Sequence, residues 1–149
     1  MLPHPTRAGA TVALLLALAA SRPATAGAAQ SSLCYQKLSG LARHPDIEQL
    51  RLVIDGERLT GEYRWFPWQK DRRVGRLEGR LTSGGTAQVL YRFLQEGQKD
   101  SARLTIVFNE REARIRWPPP QPGQASGPPL PPILLPRHPC AELKMAPSL

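Results

Sequence analysis

Apolar and polar side chains alternate along most of the chain between residues 49 and 117. A period of two is typical of strands that place one face on a core and the other in water. No stretch in this region shows the 3.6-residue period of an amphipathic helix, so short turns join the strands into an antiparallel meander. The pattern predicts six strands: Gln49–Ile54, Leu59–Trp65, Val74–Leu81, Ala87–Phe93, Ala102–Phe108 and Ala113–Trp117.

Three glycines, Gly61, Gly75 and Gly79, fall on the predicted inner face of these strands. A glycine inside a strand is typical of a sharp bend, because it carries no side chain that would resist the bend. A sheet that curls on itself also hides its edge strands. We therefore predict an all-β fold in which the six-stranded meander forms a small barrel or a curled half-barrel.

The connections between the predicted strands differ in length. Asp55-Gly56 and Ser83-Gly-Gly85 are strong signals for tight turns, because glycine tolerates the positive φ that hairpin turns require. Longer loops are predicted at Leu41–Asp46 and at Gln95–Asp100. Upstream of the first loop, Cys34–Gly40 is interpreted as an extended segment that leads into the domain.

The first 26 residues have the pattern of a cleaved signal peptide. Arg7 supplies a positive start, Thr11–Ala20 an apolar centre, and Ala24-Thr-Ala26 the small residues of a cleavage site. The apolar run is shorter than the about 20 residues that a membrane-spanning helix needs, and a retained N-terminal anchor is the alternative. Cys34 lies too far from the apolar centre for lipid attachment. We therefore expect a soluble periplasmic or secreted protein without a membrane span.

The composition changes sharply after Trp117. Residues 118–139 are rich in proline, which favours polyproline II and cannot complete a sheet ladder. We predict a stiff strap that returns the chain to Cys140, with the apolar run Ile133–Leu135 covering an open end of the barrel. The alternative is that Pro128–Pro132 is a ligand for an aromatic groove. The predicted organisation is thus a signal peptide (1–26), a β domain (27–117), and a strap with a tail (118–149).

Cys34 and Cys140 are the only two cysteines in the chain. In an oxidising compartment such a pair indicates a disulfide, which here would close a loop of roughly 100 residues and stabilise the fold by at most about 4–5 kcal/mol. A reactive thiol or a metal pair is the alternative. Because His44 and His138 lie in proline-flanked positions, with no ligand at metal-binding spacing, we expect no metal or other cofactor.

The chain is basic, with a formal net charge of +8 that becomes +6 once Arg7 and Arg22 leave with the signal peptide. Such a balance raises the question of nucleic acid or an anionic surface as a partner. However, Arg76, Glu78 and Arg80 alternate in sign along one strand face, as solvated strands with cross-strand pairs do. We therefore expect no nucleic-acid partner. A monomer is the expected oligomeric state.

Several short motifs resemble those of one protein family. They are Cys34-Tyr35, Leu59-Thr-Gly61, Trp65-x-Pro-x-x-Lys-Asp71, Gly75-x-Leu-x-Gly79 and Tyr91-Arg-Phe-Leu-Gln-Glu-Gly97. Between Cys34 and Phe108 the chain resembles a family of small exported bacterial β-rich proteins and lipoproteins, with an aromatic–Lys-Asp–Gly-x-x-x-Gly pattern followed by Gln-Glu-Gly. That family has no assigned activity, so the resemblance implies a compartment and a β fold. The proline-rich strap, Cys140 and the missing lipid signal depart from its pattern.

The segment Phe66–Arg73 is the first candidate for a functional loop, since it is dense in aromatic and charged residues and Pro67 ends the strand ladder before it. In a meander, this loop and the one after the fourth predicted strand lie at the same end of the sheet. We therefore expect one surface there. Its candidate binding residues are Trp65, Trp68, Lys70, Asp71 and Glu96.

Two function classes fit this surface. The first is a non-catalytic envelope binding module for a glycan, a lipid headgroup or a protein, which includes inhibitors of envelope-attacking hydrolases. The alternative is a weak cell-wall glycan hydrolase in which Asp71 and Glu96 stand about 5–10 Å apart. A purely structural interpretation pairs Lys70 with Glu96 and packs the tryptophans under the loop. No nucleophile elbow or phosphate-binding loop is present.

Overall fold

The computed structural model describes residues 30–119 and 130–143. These residues form eight strands followed by one short 3₁₀-helix, η1 (Cys140–Glu142). All-β is therefore the fold class, as predicted, but the strands number eight rather than six. They are β1 (Ser31–Leu41), β2 (His44–Asp55), β3 (Arg58–Phe66), β4 (Arg73–Ser83), β5 (Thr86–Gln95), β6 (Gln98–Phe108), β7 (Glu112–Arg116) and β8 (Ile133–Pro136).

The eight strands form one antiparallel sheet in sequence order. An isolated bridge between Tyr35 of β1 and Arg137, just after β8, brings the first and last strands together. The amide of His138 also donates to the carbonyl of Cys34, at 2.8 Å. The sheet is thus nearly closed into an up-and-down barrel, and most of its inward-facing apolar side chains form a single core.

Strand β1 corrects the prediction of an extended lead-in followed by a loop at Leu41–Asp46. It pairs with β2 along its whole length, from Ser31 opposite Ile54 to Leu41 opposite His44. Only residues 42 and 43 form the turn. The alternation is hidden in β1 because the neighbouring residues Cys34 and Tyr35 are both fully buried, one on each face.

Strand β8 corrects the expectation that Ile133–Leu135 covers an open end. This run pairs with β7, with Leu135 opposite Ala113 and Ile133 opposite Ile115, so it forms part of the barrel wall. Leu135 is fully buried in the core. The predicted signal peptide and residues 120–129 of the proline-rich segment lie outside the described residues.

Glycines allow the sheet to curl. A Cβ atom at Gly61 would overlap with the carbonyl oxygen of Arg51 on the neighbouring strand, and one at Gly75 would overlap with that of Arg92. At these positions adjacent strands approach too closely for any side chain, as the predicted role of glycine in a curled sheet requires.

The predicted disulfide is confirmed. Cys34 and Cys140 are bonded, with their Cα atoms 5.1 Å apart. The bond attaches the C-terminal segment to the outer face of β1, where Leu143 is also buried. Arg137 reinforces this attachment, because its Nη1 donates to the carbonyl of Cys34 at 3.1 Å.

Candidate functional site

The β1–β2, β3–β4 and β5–β6 connections meet at one end of the barrel, which we call the loop end. They comprise residues 42–43, 67–72 and 96–97. The β3–β4 connection is the longest of the three, and its Pro67 is buried where the strand ladder stops. The two loops that the sequence placed at one end of the sheet therefore do lie at the same end.

Trp68 lies in the β3–β4 loop and is 45% exposed. Its ring stacks on that of His44, with centroids 3.8 Å apart and planes inclined by 14°. Its backbone amide donates to Asp46 Oδ1 at 2.6 Å. Two residues at the start of β2 thus hold the loop. Sequence reasoning missed both, because it assigned His44 and Asp46 to a loop of their own.

Lys70, Asp71 and Glu96 are exposed. Asp71 and Glu96 border a shared cavity of about 220 Å³ between the two loops. Glu96 and Gly97 both have positive φ, 53° and 74°, which makes this connection a tight two-residue turn instead of the predicted loop Gln95–Asp100. Among the described residues Lys70 forms no ion pair, so the structural pairing of Lys70 with Glu96 is not found.

Trp65 faces inward at the loop end, next to a residue that the sequence prediction did not select. Arg73 stands directly opposite Trp65 in the β3–β4 register. Its guanidinium carbon lies 5.4 Å from the centroid of the Trp65 ring, 5.3 Å from that of Phe93 and 4.8 Å from that of Trp117. All four side chains are partly buried. Arg73 is therefore held among three aromatic faces, an arrangement that stabilises a cation.

The hydrogen bonding of Arg73 leaves most of its donors open. Its Nε donates to Gln95 Oε1 at 2.7 Å. Within residues 30–119 and 130–143 it makes no other hydrogen bond and no ion pair with a carboxylate. A guanidinium has five N–H donors in a planar fork that matches a carboxylate or a phosphate. The Nη atoms of Arg73 thus have no hydrogen-bond partner among the described residues.

A second polar group lies beside Arg73. The hydroxyl of Tyr63 donates to Glu48 Oε1 at 2.8 Å, and Lys37 Nζ lies 4.0 Å from Glu48 Oε2. Burial raises the pKa of Tyr63 well above its usual range, and the charge of Glu48 and its hydrogen bond raise it further. Tyr63 therefore stays neutral and donating. The carboxylate of Glu48 is hydrogen-bonded by Tyr63 and lies near Lys37, and it forms no ion pair with Arg73.

Tyr91 connects this group to the core. Its hydroxyl donates to the carbonyl of Tyr63 at 2.9 Å, and its ring stacks on Phe93 with centroids 4.8 Å apart. Burial raises the pKa of Tyr91 above its usual range, an effect that the positive charge of Arg73 partly offsets. Two buried, neutral tyrosines, Tyr63 and Tyr91, thus connect the rings around Arg73 to the core.

The described part of the chain contains no group of three or more His, Cys, Asp or Glu side chains placed to hold a metal ion. Nor does that part include a helix long and apolar enough to cross a membrane. In comparisons with known proteins, no family model, curated protein or solved structure matches this chain.

Proposed function

We propose that the protein is an exported, non-catalytic binding module of the cell envelope, and that it holds an anionic group of its ligand at Arg73. The observation that carries this proposal is the guanidinium among Trp65, Phe93 and Trp117, with no carboxylate partner among the described residues. A partly buried cation is more stable when an anion approaches it, because burial removes part of its hydration.

The surroundings of Arg73 suggest the rest of the ligand. Trp65 and Trp117 offer flat apolar surfaces next to the cation. Trp68 and Lys70 belong to the loop that leads into Arg73, and we expect a ligand larger than one charged group to contact this loop as well. A sugar or a lipid headgroup that carries a carboxylate or a phosphate combines the required charge with a body that packs on aromatic rings.

Two observations support export. The Cys34–Cys140 disulfide is formed, and stable disulfides are a property of oxidising compartments such as the periplasm and the extracellular space. The first 26 residues have the pattern of a cleaved leader. Isolation of the mature protein with a chain that starts near Gly27 would support this part of the proposal, whereas a full-length precursor in the membrane fraction would contradict it.

A matched pair of sugars tests the binding proposal. N-acetylmuramic acid differs from N-acetylglucosamine by a carboxylate-bearing group, and glycerol 3-phosphate supplies the phosphate without a sugar ring. Binding is measured by tryptophan fluorescence, because Trp65 and Trp117 contact Arg73. We expect an anionic compound to bind at least about tenfold more tightly than N-acetylglucosamine. Equal affinity for charged and neutral sugars would contradict the proposal.

The variant Arg73→Lys sharpens this test, since lysine keeps the charge but loses the planar fork. Its matched control is Arg116→Lys on the exposed outer face of β7. We expect Arg73→Lys to lower the affinity for the anionic ligand about tenfold and Arg116→Lys to leave this affinity unchanged. Unchanged affinity in both variants would show that only charge matters, and the same loss in both would show that the effect is not specific to the loop end; either result would contradict the proposed role of Arg73.

One observation favours the alternative of a weak glycan hydrolase, namely the cavity that Asp71 and Glu96 share. Two carboxylates on either side of a bound glycan can act as acid and as base or nucleophile. Turnover of cell-wall glycans by the wild type, lost in both Asp71→Asn and Glu96→Gln, would establish that function. No turnover above that of the variants would leave binding as the function.

A further inference from the structure

The outer face of β2 to β6 forms a groove of about 1050 Å³, which we call the outer groove. Six basic side chains and three acidic ones border it. Most of them are carried by strand positions that point away from the core. The outer groove borders the ring cluster around Arg73 at Phe93, which belongs to both, but Arg73, Trp65 and Trp117 do not line it. Val53, Val74 and Leu94 add apolar surface to its lining.

The strand register lines up charges across the groove. Arg51 of β2, Glu62 of β3, Arg76 of β4 and Arg92 of β5 stand opposite one another in one row. Arg76 and Arg92 are therefore a directly opposed pair of like charges, an arrangement that disfavours the folded sheet. An anion bound between them would remove this repulsion.

The acidic side chains of the groove compensate only some of the basic ones. Glu78 lies 3.5 Å from Arg58 and 3.6 Å from Arg92, and Glu62 pairs with Arg64 at 2.7 Å. Arg51 and Arg76 are exposed and form no ion pair with any residue that the structure describes. The row thus holds two guanidinium groups without an ion pair among the described residues, on the two strands, β2 and β4, that flank β3.

From these observations we infer that the outer groove is a second binding site, and that its occupant is an acidic, extended segment of a partner protein. Strands lie about 4.8 Å apart, so the backbones carrying Arg51 and Arg76 are separated by about 10 Å. In a peptide with the extended polyproline II conformation, which has three residues per turn and a rise of about 3.1 Å per residue, residues three positions apart lie on the same face and span nearly the same distance. A segment with a carboxylate at every third position matches both cations, and its intervening apolar side chains meet Val53, Val74 and Leu94.

The carboxylates in the groove favour a peptide over an acidic polysaccharide. Glu62 and Glu78 would repel a polymer that carries a negative charge on every unit. A protein segment offers apolar and neutral side chains at these points, and the lining of the groove is partly apolar. Charge complementarity and apolar contact together therefore select a polypeptide.

An NMR titration of the isotope-labelled mature protein tests this inference. The probe is a short synthetic peptide with glutamate at every third position and valine and serine between. The controls are the same peptide with glutamine in place of glutamate, and a polygalacturonate fragment. We expect the glutamate peptide alone to shift the amide signals around Arg51, Arg76 and Arg92. Absence of these shifts, or tighter binding of polygalacturonate, would overturn the inference.

Two double variants remove the same number of charges from different faces. Arg51→Gln/Arg76→Gln lies in the groove, whereas Arg103→Gln/Arg116→Gln removes two exposed arginines from strands β6 and β7 outside its lining. We expect the first to weaken peptide binding at least about tenfold and the second by less than about twofold. Equal weakening would show attraction to net charge only and would overturn the site.

Two further measurements separate this site from a structural role and from the loop end. Arg76→Gln relieves the repulsion with Arg92, so its melting temperature should equal or exceed that of the wild type; a clear decrease would make Arg76 structural and remove the basis of the site. Arg73→Lys should bind the peptide as the wild type does. If it lost the peptide as well, the outer groove would not be an independent site.

Discussion

The two ends of the barrel are built differently. At the turn end, formed by residues 56–57, 84–85 and 109–111, backbone hydrogen bonds link each connection to its neighbours. The amide of Leu81 donates to the carbonyl of Glu57, and that of Phe108 to the carbonyl of Gly85. The hydroxyl of Tyr35 reaches the carbonyl of Asn109 at 2.9 Å. At the loop end, the longest of the fully described connections is held by a ring stack and one side-chain hydrogen bond.

The interiors of the two ends also differ. Leu59, Ala87 and Ile106, which follow or precede the turns, are fully buried and apolar. At the loop end the inward positions hold Trp65 and Arg73 instead, and both are partly exposed. The turn end therefore has a fully buried apolar interior, whereas the loop end keeps polar and aromatic groups partly exposed to solvent.

The largest expected effect on stability comes from a substitution in the core next to the turn end. Ile106→Ala should lower the free energy of unfolding by about 2–5 kcal/mol, because it leaves a cavity among fully buried side chains. The neighbouring Val107→Ala, at an exposed position of the same strand, is the control and should cost less than about 1 kcal/mol. Chemical denaturation measures both. Similar losses of unfolding free energy in the two variants would contradict the assignment of Ile106 to the inner face and Val107 to the outer face.

Removal of the disulfide comes next. Cys34→Ala/Cys140→Ala should cost about 2–4 kcal/mol, because the bond joins residues 106 positions apart and limits the unfolded chain. Reducing agent should destabilise the wild type by a similar amount and leave the double variant unchanged. Two freely alkylated thiols in the native exported protein would contradict this account of the C-terminal segment.

High pH should weaken the fold through the buried tyrosines. Burial raises the pKa of Tyr35 to about 12, an effect that Arg137 partly offsets. In the unfolded chain the pKa of tyrosine is about 10. The unfolded chain therefore loses this proton first, so the stabilisation is complete below about pH 10 and is lost as the pH rises through about 12.

The measurement is denaturation at several alkaline pH values, with tyrosinate absorbance as the second signal. For Tyr35 we expect a loss on the order of 1–2 kcal/mol by about pH 12, with a shallower pH dependence in Tyr35→Phe. Ionisation of all three tyrosines near pH 10 in the folded protein would show that neither end of the barrel shields them.

The smallest expected effect on stability is at the loop end. Trp68→Ala should change the free energy of unfolding by less than about 1 kcal/mol, because the ring is 45% exposed and contacts mainly His44. The same substitution should nevertheless weaken binding of the anionic ligand. His44→Ala removes the stacking partner but keeps the Trp68 ring. Comparison of the two variants therefore distinguishes the effect of losing the ring from the effect of moving it. A cost of several kcal/mol for Trp68→Ala would make the ring part of the core.

The sequence predicted the strands that place one face on the core and one in water, and it missed two strands for identifiable reasons. In β1, Cys34 is buried under the C-terminal segment while Tyr35 is buried inside, so the two faces do not differ in polarity. Strand β8 lies in proline-rich sequence, which favours polyproline II. It forms because Leu135 completes the core against Ala113.

Only those features of the candidate site that follow from strand order and turn position could be predicted from the sequence. Alternation and turn positions placed the loops with Asp71 and Glu96 at one end, and these residues do share a cavity. The aromatic surroundings of Arg73 depend on strand register and on the curl that brings Trp117 near β4. No short motif carries this information, because Trp65, Arg73 and Trp117 come from three separate strands or strand ends.

An NMR titration that follows the side-chain Nε signal of Arg73 and the indole signals of Trp65 and Trp117 tests directly whether Arg73 holds an anionic group. The protein is titrated with N-acetylmuramic acid, glycerol 3-phosphate and N-acetylglucosamine in parallel. We expect an anionic compound to shift these three signals together and N-acetylglucosamine to leave them in place. Anionic compounds that shift only signals of the turn end, or that shift none, would contradict this role of Arg73.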